Sequence, residues 1–364
     1  MERRTRLRQR TGAVQNGPLL RSRPASACVA RTFSGSVAWM MESIRCARFV
    51  LLLASVVFAP GAALAQPQLP GNAPYTISVD VEMVALHATV TDHRGRAISG
   101  LAKDSFQIYE DGVPQQIKIF SQEDIPVTVG LVIDNSGSMK RKRTDVLAAA
   151  LAFARASNPK DEMFVVNFNE KVAFALSPQV PFTDSVAQLE VALSHFNAVG
   201  QTALYDAMDA ALDHLSLGRM DKKVLIVISD GGDNASQHTL DSILSKARHS
   251  DAIIYSIGIY DDADEDRKPG ILRRFAADTG GEVFLPAEVQ DVVPICKNIA
   301  RQIRSQYTLA YLPTNKSHNG AYRVIQVQAA AAGRGRMLVR TRSGYYAPAV
   351  TAAPNPNSVH HELD

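Results

Sequence analysis

Cysteine is almost missing from this chain. Of three cysteines in 364 residues, Cys28 and Cys46 fall within the first 65, so the remainder keeps Cys296 alone and can close no internal disulfide. The nine His are scattered without the spacing of a zinc site. Long apolar runs are missing too: the stretch 49–58 has about half of the roughly 20 residues that span a bilayer. Charge of one sign is also lacking. Against 39 Lys and Arg stand 36 Asp and Glu, and residues 1–65 hold ten of the Arg against Glu2 and Glu42. Without that stretch, 29 basic residues face 34 acidic ones, a net of −5. Such a balance offers no overall field to draw nucleic acid. A composition of 46% hydrophobic and 21% charged residues excludes disordered, collagenous and polytopic membrane classes and leaves a globular chain long enough for two domains.

What is present begins with an address. From Met41 the sequence reads Arg45 and Arg48, the apolar run 49–58, Pro60-Gly61 and Ala63-Leu64-Ala65 before Gln66, the pattern of a secretory signal peptide over 41–65. The shortness of the run and Pro60 argue against a retained transmembrane anchor, and no Cys follows to carry a lipid. Residues 1–40, Arg- and Ser-rich with one acid, fit no fold. They read as a transit-like leader or as a start assigned too early, and the second reading, with Met40 or Met41 as the true start, is favoured. Arg3-Arg4 stands about 45 residues before the apolar run, too far for a twin-arginine signal.

Residues 66–74 form a Pro- and Gly-containing linker. Over 75–122 the pattern is β: Ile77, Val79 and Val81 alternate with polar residues, Val84, Leu86, Ala88 and Val90 alternate in the opposite phase, and Phe106, Ile108, the turn Asp111-Gly112, Ile117 and Ile119 read as a hairpin. At Ile125-Pro126 the pattern changes. The runs 127–133, 163–168, 224–228 and 253–259 are nearly continuous apolar strands, as expected of a parallel sheet buried on both faces. Between them lie amphipathic stretches: Val146, Ala150 and Phe153; Leu204, Met208, Ala211, Leu212 and Leu215; Leu240, Ile243, Leu244 and Ala247. The alternation predicts a doubly wound, mostly parallel α/β domain over about 125–305, with 171–176 as an antiparallel edge strand. A last helix spans about 288–305, where Cys296 shares helical spacing with Val292, Ile299 and Ile303 and is a core residue. Over 306–348 the runs 307–311, 322–328 and 337–341 alternate again without helices. They are expected to complete the 75–122 unit into a second, smaller all-β sandwich made from the two chain ends. Residues 349–364 read as a disordered tail.

In an open α/β sheet, ligands bind at the carboxyl ends of the strands. Three oxygen-bearing segments fall there: Asp134-Asn135-Ser136-Gly137-Ser138, Gly200-Gln201-Thr202 before a helix, and Asp230-Gly231-Gly232-Asp233. Two carboxylates and three hydroxyls, with no thiolate or imidazole, make a hard-oxygen set suited to Mg²⁺ or Mn²⁺. Singly, each segment is an ordinary cap or turn. Together they resemble the metal-ion-dependent adhesion site of the von Willebrand factor A domain family, Asp-x-Ser-x-Ser with a distant Thr and a distant Asp, matched by Asp134, Ser136, Ser138, Thr202 and Asp230. Gln201-Thr202-Ala203-Leu204-Tyr205-Asp206 and Thr279-Gly280-Gly281-Glu282-Val283-Phe284 stand in that family's usual places, and the resemblance spans about 125–312. The flanking β unit, the signal peptide and Gln306-Tyr307-Thr308-Leu309-Ala310-Tyr311-Leu312-Pro313 are similar to the bacterial secreted subgroup.

The resemblance implies that Ser136, Ser138 and Thr202 bind the metal through hydroxyls and that Asp134 and Asp230 bind directly or through water. A partner's Asp or Glu then takes the open position. Catalysis finds no support: Asp134 stands where a nucleophile elbow at Ser136 needs Gly, no His follows in a triad setting, and Ser136 stands where a phosphotransferase built on Asp134 carries a second acid. Lys140-Arg141-Lys142-Arg143 falls in the first turn of a helix, where cations oppose the dipole, and reads as a solvated face. Its functional alternative is a basic rim that steers acidic partners. Asp261-Asp262-Ala263-Asp264-Glu265-Asp266 lacks the Gly and terminal Glu of an EF-hand and reads as a solvated loop.

The expectation is an exported, non-enzymatic module, periplasmic or extracellular, that binds an acidic protein partner through a divalent cation. The alternative is a structural component of an envelope assembly whose metal only stabilises the fold. The exported protein is expected to begin at or near Gln66. Intact-mass measurement checks this, and a mass that retains 41–65 contradicts it.

Overall fold

The computed structural model describes residues 83–194, 198–260 and 268–349. The segments read as leader, signal peptide and linker, the tail beyond Ala349, the alternation of Ile77, Val79 and Val81, and the acidic run from Asp261 lie outside the described residues.

The chain opens with four strands, β1 (Val84–Thr91), β2 (Phe106–Glu110), β3 (Val113–Gln115) and β4 (Ile117–Ser121). The α/β region follows: β5 (Val127–Asp134), α1 (Arg143–Ala156), β6 (Glu162–Phe168), β7 (Val172–Phe174), α2 (Val186–Ser194), α3 (Leu204–Ser216), β8 (Lys222–Ser229), α4 (Leu240–His249), β9 (Ala252–Gly258), α5 (Pro269–Thr279), β10 (Val283–Phe284) and α6 (Val292–Arg304). The chain then returns to strands in β11 (Tyr307–Tyr311), β12 (Tyr322–Ala329), β13 (Leu338–Arg340) and β14 (Gly344–Tyr346).

Six strands form one sheet in the order β10-β9-β8-β5-β6-β7, all parallel except the edge strand β7. Every residue of β5 is buried, as its apolar run requires of a strand covered on both faces. On one face Val129, Leu131 and Ile133 pack with Phe153 of α1, Leu189 of α2 and Ile299 of α6; on the other Val132 packs with Met208 of α3, Ile243 of α4 and Phe275 of α5. The doubly wound domain read from the sequence is therefore present, and Cys296 is buried in its α6 core. Two of its helices, α2 and α5, carry no such reading in the sequence analysis. For α5 the signals stood at its ends, Pro269 at the first turn and Gly280 at the carboxyl cap. Gly280 has φ 82°, and a Cβ there would stand 2.3 Å from the backbone of Thr341, so the position favours Gly for both reasons.

The other eight strands form two antiparallel sheets, β13-β1-β11-β4 and β14-β12-β2-β3, which share one core of Leu86, Phe106, Ile108, Tyr307, Leu309, Tyr311 and Ile325 among others. The sandwich built from the two chain ends is thus observed. One part of the reading needs correction. The hairpin turns at Asp111-Gly112, both with positive φ as a two-residue turn demands, but its second strand is β3. Beyond Gln115 the chain crosses to the opposite sheet, where Ile117–Ser121 pairs with β11. Pro114 lacks the N–H that a longer central strand needs, which suits the short edge strand β3.

A buried polar cluster spans the sandwich. The Tyr311 and Tyr345 hydroxyls donate to Glu110 Oε2 at 2.7 and 3.0 Å, and Arg323 Nη1 meets Glu110 Oε1 at 3.2 Å. The guanidinium also donates to the carbonyls of Asn315 and Ser317, which offsets part of the cost of taking a charged pair out of water. Glu110→Ala strands Arg323 and is expected to cost about 3–5 kcal/mol in urea unfolding, where a loss below about 1 kcal/mol would contradict this role.

Candidate metal centre

Asp134 is the last residue of β5, and the parallel register with β8 pairs Ile133 with Ile228, which sets Asp134 beside Ser229 and Asp230. Asp134 Oδ1 accepts the Ser136 N–H at 2.8 Å and Oδ2 accepts the Ser229 hydroxyl at 2.6 Å. The Ser136 and Ser138 hydroxyls are 3.0 Å apart, and Ser138 Oγ donates to Asp230 Oδ2 at 2.5 Å. Asp230 Oδ1 accepts the Gly232 N–H. A continuous hydrogen-bonded chain therefore brings Asp134, Ser136, Ser138 and Asp230 together. Asp134 is 2% and Asp230 5% exposed.

Thr202 enters through its backbone. Its N–H donates to Asn234 Oδ1 at 2.9 Å, and its carbonyl accepts the N–H groups of Asn234 and Ala235. Its loop docks on the first one, with Gly137 N–H donating to the Gly200 carbonyl and Val199 N–H to the Asn135 carbonyl. The three segments are thus tied pairwise, and Thr202 is nearly buried.

Several residues that shape this place were not singled out in the sequence. Ser229 supports Asp134 directly, and its only sequence signal was a hydroxyl at the end of an apolar strand. Asn135 donates to Asn167 Oδ1 at 2.7 Å and accepts from Arg143 Nη1 at 3.1 Å. The reading of Lys140 to Arg143 as one solvated helical face is corrected. Gly137–Met139 is a turn of 3-10 helix, and α1 begins only at Arg143. Lys142 is 1% exposed, its Nζ donating to the Ile259 carbonyl beyond β9. Arg143 also reaches the carbonyls of Leu193 and Ser194 at the end of α2, where a helix's negative dipole end favours a cation. Lys140 and Arg141 are exposed.

Burial pushes the Asp134 carboxyl up to about 6, and the negative charge of Asp230 adds to the rise, against hydrogen bonds from Ser136 and Ser229. Two carboxylates kept from water and repelling each other, within reach of hydroxyls, fit a divalent cation. Among the described residues no three His, Cys, Asp or Glu side chains gather into a metal cluster, so an ion at this place would draw on hydroxyl oxygen. The raised carboxyl has a sign that can be checked without metal. Because the folded state holds this proton more tightly than the unfolded chain, stability in chelator is expected to fall as pH rises from about 4 to about 6, by roughly 3 kcal/mol. Asp161, also raised to about 6 by burial, adds a slope of the same sign. Melts across this range should show a flatter profile for Asp134→Asn, and equal slopes would contradict the assignment.

The sequence profile of the von Willebrand factor type A domain matches residues 129–232. No curated protein sequence matches the chain. Among solved structures, the chain is similar to a von Willebrand factor type A protein from Catenulispora acidiphila, at 15% identity and a TM-score of 0.45, covering 67% of this chain and 73% of that one. It is also similar to the von Willebrand factor domain of the type V pilus tip protein Mfa5 from Porphyromonas gingivalis, at 14% identity and a TM-score of 0.41, covering 50% and 95%. A third is proximal thread matrix protein 1 from the mussel byssus, with a zinc-occupied MIDAS motif, at 15% identity and a TM-score of 0.42, covering 53% and 49%. Residues 129–232, which run from β5 to the loop after β8 in the α/β unit, therefore match the von Willebrand factor type A domain.

Proposed function

We propose that this chain is an exported protein-binding module that takes Mg²⁺ or Mn²⁺ at Asp134, Ser136, Ser138, Thr202 and Asp230. Through that ion it engages an Asp or Glu of a protein partner. The observation that carries this reading is the pair of nearly buried carboxylates, Asp134 and Asp230, joined by the hydroxyls of Ser136 and Ser138. Burying like charges together is costly, and a cation supplied from solution removes the cost. The bound ion would offer an open coordination position to a carboxylate. Asp134 and Asp230 would hold it by charge, Ser136, Ser138 and Thr202 by hydroxyl oxygen, and Ser229 and Asn135 would keep the loop in place.

A binding role is favoured over catalysis by what the serines touch. Ser136 and Ser138 hydrogen-bond each other, and Ser138 gives its proton to a carboxylate rather than to an imidazole. Export rests on the sequence of 41–65. Among the described residues no helix is long and apolar enough to cross a membrane. Partner capture that vanishes with chelator while the fold persists separates this reading from a metal that merely stabilises an envelope assembly.

Metal that binds only the folded state stabilises it, by about 2.7 kcal/mol at a hundredfold excess over its dissociation constant. Thermal melts with and without Mg²⁺ are expected to show this increment in the wild type and not in Asp134→Ala, which should still fold because Asp134 lies at a strand end. An equal response in both proteins would remove Asp134 from the site.

A further inference from the structure

The four consecutive cations after the metal loop divide into two pairs. Lys142 and Arg143 turn inward and are spent on the Ile259 carbonyl, on Asn135 Oδ1 and on the carboxyl end of α2. Lys140 and Arg141 are exposed, and among the described residues neither side chain makes an ion pair or hydrogen bond. They occupy the turn that leads into the amino end of α1, where positive charge opposes the helix dipole and earns nothing from the fold. Backbone hydrogen bonds hold this turn, from Lys140 N–H to the Gly137 carbonyl and from Lys142 N–H to the Met139 carbonyl. Lys140 follows Ser138 by two residues, so their Cα atoms lie within about 7 Å.

The 199–201 loop, tied to Asn135 and Gly137, has the opposite character. Val199 is 53% exposed, and the Glu170 carboxylate accepts the Gln201 N–H at 3.1 Å. An acidic segment crossing the centre therefore meets two free cations on the α1 side and an apolar residue with a carboxylate on the 199–201 side. We propose that the partner segment carries a second acidic residue, about three positions from the one that reaches the metal, and that Lys140 and Arg141 read it. Three extended residues cover about 10 Å, within reach of the long Lys and Arg side chains from that turn. The arrangement sets the direction in which the segment lies, because reversing it would bring the second acid against Glu170. This proposal rests on the metal-dependent reading above.

Two immobilised synthetic peptides in a Gly-Ser background test it with the full chain in Mg²⁺: one with a single Glu, the other with a second Glu three residues away. The wild type is expected to bind the second peptide about three- to tenfold more tightly, the range of two exposed charge pairs, with the advantage fading at high salt. The double substitution Lys140→Ser, Arg141→Ser should erase the advantage while leaving single-Glu binding and the Mg²⁺ response of thermal melts unchanged. Chelator-sensitive capture with no preference, or a preference that survives the double substitution, overturns the proposal alone. Capture that ignores chelator, or no capture of either peptide, overturns the metal-dependent reading and this proposal with it.

Discussion

Two carboxylates held out of water at the ends of neighbouring parallel strands set the terms for everything around them. The β5–β8 register places Asp134 next to Ser229 and Asp230, and both carboxylates are nearly buried. The surrounding loops answer that constraint in hydroxyls and backbone amides: Ser136, Ser229 and Gly232 each give a hydrogen bond to one of the pair, and Ser138 closes the chain between them. The inward turn of Lys142 and Arg143 then fixes the loop from behind, the first against the end of β9 and the second against the end of α2. A charged centre is thus suspended between two strand ends by neutral donors, a setting that the proposed divalent ion would complete.

The sandwich serves the same centre at a distance. Strands from both chain ends pair with one another, β1 with β11 and β2 with β12, so the α/β region is carried as an insertion between the two parts of one β unit. Its junction with the α/β region is polar and closely fitted. Arg340 reaches Glu282 at 2.7 Å, Gln306 donates to Thr89, and the buried Lys222 donates to the Ile303 carbonyl at the end of α6. These contacts lie at the amino ends of the parallel strands or beside them, away from the carboxyl ends and the 134–138 loop.

Much of this was legible in the amino-acid order. Strands β5, β6, β8 and β9 are buried on both faces, and continuous apolar runs report that directly. The oxygen-bearing residues at their ends stood out because such groups interrupt an apolar pattern. What was hidden depended on partners remote in sequence. Nothing in Lys140-Arg141-Lys142-Arg143 shows which cations find a carbonyl, because the acceptors at Leu193 and Ile259 are about 50 and 117 positions away from their donors. The crossing of the chain between Gln115 and Ile117 was hidden for a similar reason, since alternation reports a strand's faces and not the sheet to which it belongs.

In the proposed function a divalent ion is held among Asp134, Thr202 and Asp230. Anomalous diffraction from a crystal of the protein soaked in Mn²⁺ tests it most directly. One strong peak is expected at this place, with the hydroxyl oxygens of Ser136, Ser138 and Thr202 around it. A map without a peak there, or with the ion bound elsewhere on the molecule, would contradict it.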